Sequence, residues 1–228
     1  PPLPVDFPPL TIESCIADRR EPGFTFFPCC HGPMMPGADK PAFLVAIDRN
    51  GEVVWHHRDS NPIHGMARLA NGHLAFLPDT YILTEIDMLG NVLHRWYPTG
   101  RYKDGVPGGT PVETEIIHHG ICAMDSGNIV ALSIETRDFA DWPGSDEDLD
   151  APRGPARVVG DVVIEFQPDG KIVNEWKLLD LLDPQRRGKL ERKAASNSAY
   201  VWTCWLCNHL KVDTGRHAAD CCNWEASS

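Results

Sequence analysis

The chain has 228 residues and a formal net charge of −11, with 42% hydrophobic residues. That length suffices for one sizeable domain or two small ones, and without a basic stripe neither nucleic acid nor an anionic membrane is an expected partner. No apolar run approaches the roughly 18 residues that a membrane-spanning helix needs.

Residues 1–22 are proline-rich and polar and read as an extended lead-in. The sequence opens on Pro1 rather than Met and shows no signal peptide, so it reads as a processed form or a fragment and leaves the compartment undetermined. Phe24-Thr25-Phe26-Phe27 reads as a short strand, because aromatic and β-branched side chains fit a pleated surface. Residues 29–40, with Gly32, Pro33, Pro36 and Gly37, read as a loop. Strands are expected near 42–48, 52–57, 64–69, 73–77, 81–87 and 92–97, then a turn-rich loop over 98–112. Strands resume near 116–124, 128–134, 161–167 and 171–177. Segment 136–157 reads as an insertion, and its run Asp146-Glu147-Asp148-Leu149-Asp150 as a solvated acidic loop without the glycine and spacing of a calcium loop. Leu178 to Arg187 suggests a short helix interrupted by Pro184. From about Ala194 the composition changes to three tryptophans and four cysteines, with no turn-punctuated alternation.

Two repeated words organise the strands. Ile47-Asp48-Arg49-Asn50-Gly51-Glu52-Val53, Ile86-Asp87-Met88-Leu89-Gly90-Asn91-Val92 and Phe166-Gln167-Pro168-Asp169-Gly170-Lys171-Ile172 share an apolar residue four before a glycine and a β-branched one two after it. Trp55, Trp96 and Trp176 close the three units, whose glycines lie 39 and 80 residues apart. A second word, Ile63 to Leu77, aligns without gaps on His118 to Leu132 at a constant offset of 55. Its strands Leu74–Leu77 and Ile129–Leu132 are continuous apolar runs, which fit strands buried on both faces. A period of roughly 40 residues with several short strands per unit is the expectation for propeller blades. At that period the chain holds about three blades, with a partial β-propeller over 23–193 between the lead-in and a Cys/Trp-rich tail at 194–228.

The histidines are the most informative polar residues. His64 and His119 hold equivalent places in the second word, each just before an inner strand, and His118 precedes His119. In a propeller the first strand of each blade lines the central channel, so the two units send imidazoles to the same ring of positions. Neighbours in a strand point to opposite faces, so one of His118 and His119 should reach the channel. An imidazole there can serve as nucleophile, general acid or base, or ligand. The chain has no phosphate loop, no dinucleotide fingerprint and no G-x-S-x-G elbow, which disfavours a nucleotide-dependent transferase and a serine hydrolase.

Gly23-Phe24-Thr25-Phe26-Phe27-Pro28, Phe43 to Asp48 through Gly51-Glu52-Val53-Val54-Trp55, Ile117-His118-His119-Gly120-Ile121, and Gly160 to Phe166 leading into Gly170 to Pro184 together resemble bacterial arylsulfotransferases, over about residues 22–190. The resemblance implies an all-β, six-bladed propeller. It implies transfer of a sulfuryl group from a phenolic sulfate to another phenol through a histidine carrier, with no nucleotide donor and no cofactor. Small aryl sulfates and phenols would be the partners, and a secreted or periplasmic location is favoured. His118 and His119 would then be catalytic, one donating to the sulfate or the leaving oxygen, and His64 would bind substrate. Equivalence with His64 favours His119 for the donor role.

Beyond about Arg192 the later histidine and arginine elements of that family are not recognisable, so the chain reads as a truncated member and its tail as foreign sequence, such as a shifted reading frame. Three blades alone leave sheet edges and apolar faces open, a route to self-association. Little sulfuryl transfer by the chain alone is then expected. A rival reading makes the chain a non-catalytic propeller scaffold. Another gives zinc to Cys204, Cys207 and two of His209, His217, Cys221 and Cys222, but the adjacent pair Cys221-Cys222 is not a second C-x-x-C, and no metal site is expected.

Overall fold

A computed structural model of the protein describes residues 2–16, 22–30, 41–143, 150, 152–182 and 200–203. In chain order these form β1 (Thr25–Cys30), β2 (Ala42–Ile47), β3 (Val53–Asp59), β4 (Ile63–Arg68), β5 (Leu74–Pro78), β6 (Leu83–Ile86) and β7 (Val92–Pro98). There follow β8 (Thr110–Val112), β9 (His118–Ala123), β10 (Ile129–Trp142), β11 (Gly154–Phe166), β12 (Ile172–Lys177), the single-turn helix α1 (Leu178–Leu181) and β13 (Tyr200–Thr203). The fold is all-β. A first sheet has the order β1-β2-β3, a second β4-β5-β6-β7-β8, and a third β12-β11-β10-β9 with β13 also on β11. Pairing is antiparallel except for β7–β8 and β11–β13.

The three glycine words are turns of one geometry. Gly51, Gly90 and Gly170 take φ of 81°, 84° and 86°, a region open to glycine and strained for other residues. Each glycine amide donates to the carbonyl three residues earlier (Asp48, Asp87, Gln167), whose own amide donates to the residue after the glycine. A register shift falls at the same place in each pair of strands, at Ala46/Ile47, Glu85/Ile86 and Glu165/Phe166. The second word also repeats its bonds, with Gly72 donating to Leu69 and Gly127 to Met124.

The sheets stack in chain order. Leu74 and Phe76 of β5 join Ala42, Leu44 and Ile86 in a core between the first and second sheets. Ala75 and Leu77 face the other way, into a core with Ile121, Ala131, Ile164 and Phe166 of the third sheet. A strand covered on both sides has no polar face, so β5 reads as a continuous apolar run. The closing tryptophans join one sheet to the next. Trp55 donates its indole N–H to the Met88 carbonyl and Trp96 to the Pro168 carbonyl, both at 2.8 Å. Met88 and Pro168 occupy the same place, two residues before the turn glycine. Each turn is also approached closely from the side that precedes it. A Cβ on Gly170 would lie 2.1 Å from the Pro111 carbonyl oxygen, and one on Gly51 would lie 1.9 Å from Ile12 Cδ1. On the first sheet the lead-in thus takes the place that an earlier element holds on the others. Its Phe7 ring packs 4.9 Å from Phe43, and Asp6 accepts from Arg58 at 2.8 Å.

Several expectations change. Trp176, unlike Trp96 at 2%, is 41% exposed, because no described turn follows the third sheet to cover it. The loop expected over 98–112 ends in β8, where Pro111 offers no amide and sits at a sheet edge that needs none. The insertion expected over 136–157 is largely a continuation of β10 and β11, and its Trp142, with the adjoining Val158, buries against Leu179 of α1. Cys29 and Cys30, assigned to a loop, extend β1. In the tail Tyr200–Thr203 pairs with Arg157–Gly160, running on along the β11 edge beyond the stretch that β12 covers. The acidic run at 146–149, the helix beyond residue 182 and the cysteines from Cys204 onward lie outside the described residues.

Replacing Trp96 with alanine removes a buried indole and its bond to the next sheet, and should lower stability by about 3–5 kcal/mol. The same change at the exposed Trp176 should cost about 1 kcal/mol or less. Urea unfolding of the two variants measures the contrast, and equal midpoints would contradict a load-carrying role for Trp96.

Candidate functional site

The edge strands β4 and β9 of the second and third sheets come together where their histidines lie. The approach depends on Gly65, where a Cβ would stand 2.3 Å from the His119 carbonyl oxygen. Both strands are irregular at this point. In β4 the pairing slips between Ile63 and Gly65, so that His64 is the bulged residue. In β9 it slips between His118 and Ile121 against Leu132 and Ala131. His119 adopts φ 48°, left-handed backbone that histidine enters more readily than most residues, at a strain of about 1–3 kcal/mol. Bulges of this kind re-aim side chains.

The bulges bring three imidazoles together. The His64 and His119 rings have centroids 5.5 Å apart, and those of His118 and His119 are 5.1 Å apart. His118 and His119 approach through their Nδ1 atoms at 2.9 Å. The simple alternation of a strand does not hold here. The positive φ and the bulge turn neighbouring side chains toward each other instead of to opposite faces.

Each ring has a different support. His118 is 5% exposed, with Nε2 donating to the Ser133 carbonyl at 3.1 Å and Asp161 Oδ1 at 3.8 Å. His64 is half-buried, and its Nε2 donates to the Asp79 carboxylate at 3.0 Å. Burial first, then the His118 and His64 imidazoles, push His119 down to about 4. Burial also lowers His118, opposed by its bond to Ser133 and by the Asp161 charge. Both are therefore neutral near pH 7. Among the described residues no group of three or more His, Cys, Asp or Glu side chains is arranged to hold a metal ion.

Sequence reasoning missed the supports. Asp79, Ser133 and Asp161 lie at strand ends or in mid-strand without any motif, and Ser133 acts through its backbone carbonyl. The second word holds a signal for two of them, because Pro78-Asp79 continues its first copy and Ser133 its second. On the β5–β6 connection that carries Asp79, Tyr81 has φ 63° and lies under Arg101, whose guanidinium carbon is 4.4 Å from the ring centroid.

The model of the arylsulfotransferase (ASST) family matches residues 33–224. The chain belongs to the arylsulfotransferase family. The match continues through most of the segment from residue 194 that composition sets apart, and beyond the point near Arg192 where the resemblance fades to the eye. No curated protein matches the chain. A solved structure of a protein of unknown function from Bacteroides caccae aligns at 12% identity over 59% of this chain, with a TM-score of 0.29. The alignment spans about half of that protein's length, 54%.

The depressed histidines fix the sign of one pH effect. Between the ordinary histidine value near 6.5 and about 4, the unfolded chain binds a proton at residue 119 and the folded chain does not. Stability therefore falls as pH drops through that window, and His118 and His57, lowered mainly by burial, add to the slope. His119→Gln should flatten part of the slope, as read from urea midpoints between pH 7 and pH 4. An unchanged slope would place the His119 proton in the folded state.

Proposed function

We propose that the chain carries the early part of an arylsulfate sulfotransferase site, which moves a sulfuryl group from a phenolic sulfate to a phenol without a nucleotide donor. We further propose that its three sheets are successive blades of a β-propeller, with 2–16 a lead-in along the first blade and β4 and β9 as channel-lining strands. The single observation that carries this reading is the meeting of His64 and His119, at 5.5 Å, across the two inner strands of a family member. Three features support the blade reading: a common turn geometry, a common stacking order and an indole bond from each of the first two sheets to the next.

The chemistry explains why imidazoles suit the site. Attack at sulfur breaks the bond to the phenolic oxygen, which leaves with the electron pair. Groups that give or take a proton at that oxygen, and donors aimed at the developing charge, lower the barrier, and losing one such group typically costs 100- to 1000-fold. His64, paired with Asp79, is the candidate substrate contact, and the His118–His119 pair is the candidate proton-handling element. In this reading the histidine that carries the sulfuryl group belongs to a later element of the site, so the three sheets bind substrate but turn it over poorly.

Titration of the purified chain with a chromogenic aryl sulfate, followed by histidine side-chain NMR, should shift the His64 and His119 signals. Phenolate release with an added phenol should stay close to background. Absence of any shift at saturating sulfate would overturn the assignment. Robust turnover lost in His119→Gln would show that these sheets already make a complete site.

A further inference from the structure

His119, His118 and the Ser133 carbonyl form a directional hydrogen-bond chain, and its direction is set at the buried end. Ser133 O is a carbonyl and can only accept, and the other atom near His118 Nε2 is the carboxylate oxygen of Asp161. The proton of a neutral His118 is therefore on Nε2. Its Nδ1 is then bare and can only accept, so the 2.9 Å contact must be a donation from His119 Nδ1–H. A neutral His119 that carries its proton on Nδ1 has a lone pair on Nε2. No described residue donates to that nitrogen in any hydrogen bond of the structure, and the ring is half-buried rather than sealed.

We propose that His118 is a positioning residue that holds His119 in its Nδ1–H tautomer, so that His119 Nε2 presents a lone pair and acts as a proton acceptor toward the incoming phenol. The phenol clause rests on the sulfuryl-transfer reading, whereas the tautomer does not. Hydrogen bonding at one ring nitrogen is the usual means of fixing what the other can do. The donor role that the family resemblance implies for one of the pair needs a proton on that nitrogen, and the hydrogen-bond chain leaves it bare.

The step balances as follows. The phenol oxygen forms its bond to sulfur, and the bond from sulfur to its previous holder breaks, with that group keeping the electron pair. The phenol O–H bond breaks with its pair left on oxygen, and the proton ends on His119 Nε2. A nitrogen that titrates near 4 takes no proton from a free phenol. It takes one once the oxygen–sulfur bond is forming, when the oxygen gains positive character and its proton becomes strongly acidic.

The test is long-range proton–nitrogen correlation NMR on the chain carrying 15N-histidine, at pH 7 and without substrate. His119 should show a protonated Nδ1 and an unprotonated Nε2, the reverse of the tautomer that free histidine prefers. His118→Phe, which removes the acceptor, should return His119 to the Nε2–H form. His118→Asn, whose side-chain oxygen can stand near the lost Nδ1, should retain the Nδ1–H form. A wild-type His119 protonated on Nε2 overturns the proposal whether or not either variant folds, and so does a folded His118→Phe with an unchanged His119 tautomer. If the tautomer is as stated but no aryl sulfate binds, the functional reading fails and the positioning of His119 stands.

Discussion

The interaction on which this architecture depends is an indole N–H reaching from the end of one sheet to a turn carbonyl of the next. Trp55 to Met88 and Trp96 to Pro168 are the same bond made twice, at 2.8 Å each, by residues in the same place of a repeated word. A turn carbonyl beside an obligatory glycine is available to the indole N–H because the turn leaves it unpaired. The bond therefore fixes angle and register between sheets as well as adding contact area. The apolar layers of β5 then fit on both sides at once.

Stacking in that register brings β4 against β9, and the histidine cluster follows from it. Neither strand would aim its imidazole at the other if both were regular. The bulges at His64 and at His119 break the pleat at the crossing. The cost of the left-handed His119 is small beside the stability of the flanking cores, which is the condition under which a strained residue persists. The polar supports are graded from inside out. A nearly sealed His118 holds on to a backbone carbonyl, a half-buried His119 holds on to His118, and a half-buried His64 holds on to Asp79.

Much of this was legible in the sequence, for physical reasons that can be named. Gly51, Gly90 and Gly170 could be read because a turn that needs positive φ leaves few alternatives. The two-faced burial of β5 could be read because four apolar residues in a row have no polar face to show water. The hairpins β4–β5 and β9–β10 followed from the second word, and β6–β7 and β11–β12 from the first. The extension of β10 and β11 did not, since Thr136-Arg137-Asp138-Phe139-Ala140-Asp141 is mostly polar along a largely exposed ribbon, and only Phe139 and Trp142 reach the core beyond. Edge strand β8 was hidden by Pro111, which resembles a turn signal. Asp161 was invisible, because its place beside His118 arises only once β11, far along the chain, pairs with β10.

Gly65 has a consequence of a different kind. The gap between the His64 and His119 rings is governed by how near two main chains can come, and that limit is set by a missing side chain. Main-chain separations in a packed sheet vary less than the tips of long side chains do. The spacing of the two imidazoles is thus a mechanical property of the scaffold. One added methyl at the crossing would push the two main chains apart and alter that spacing without touching either ring.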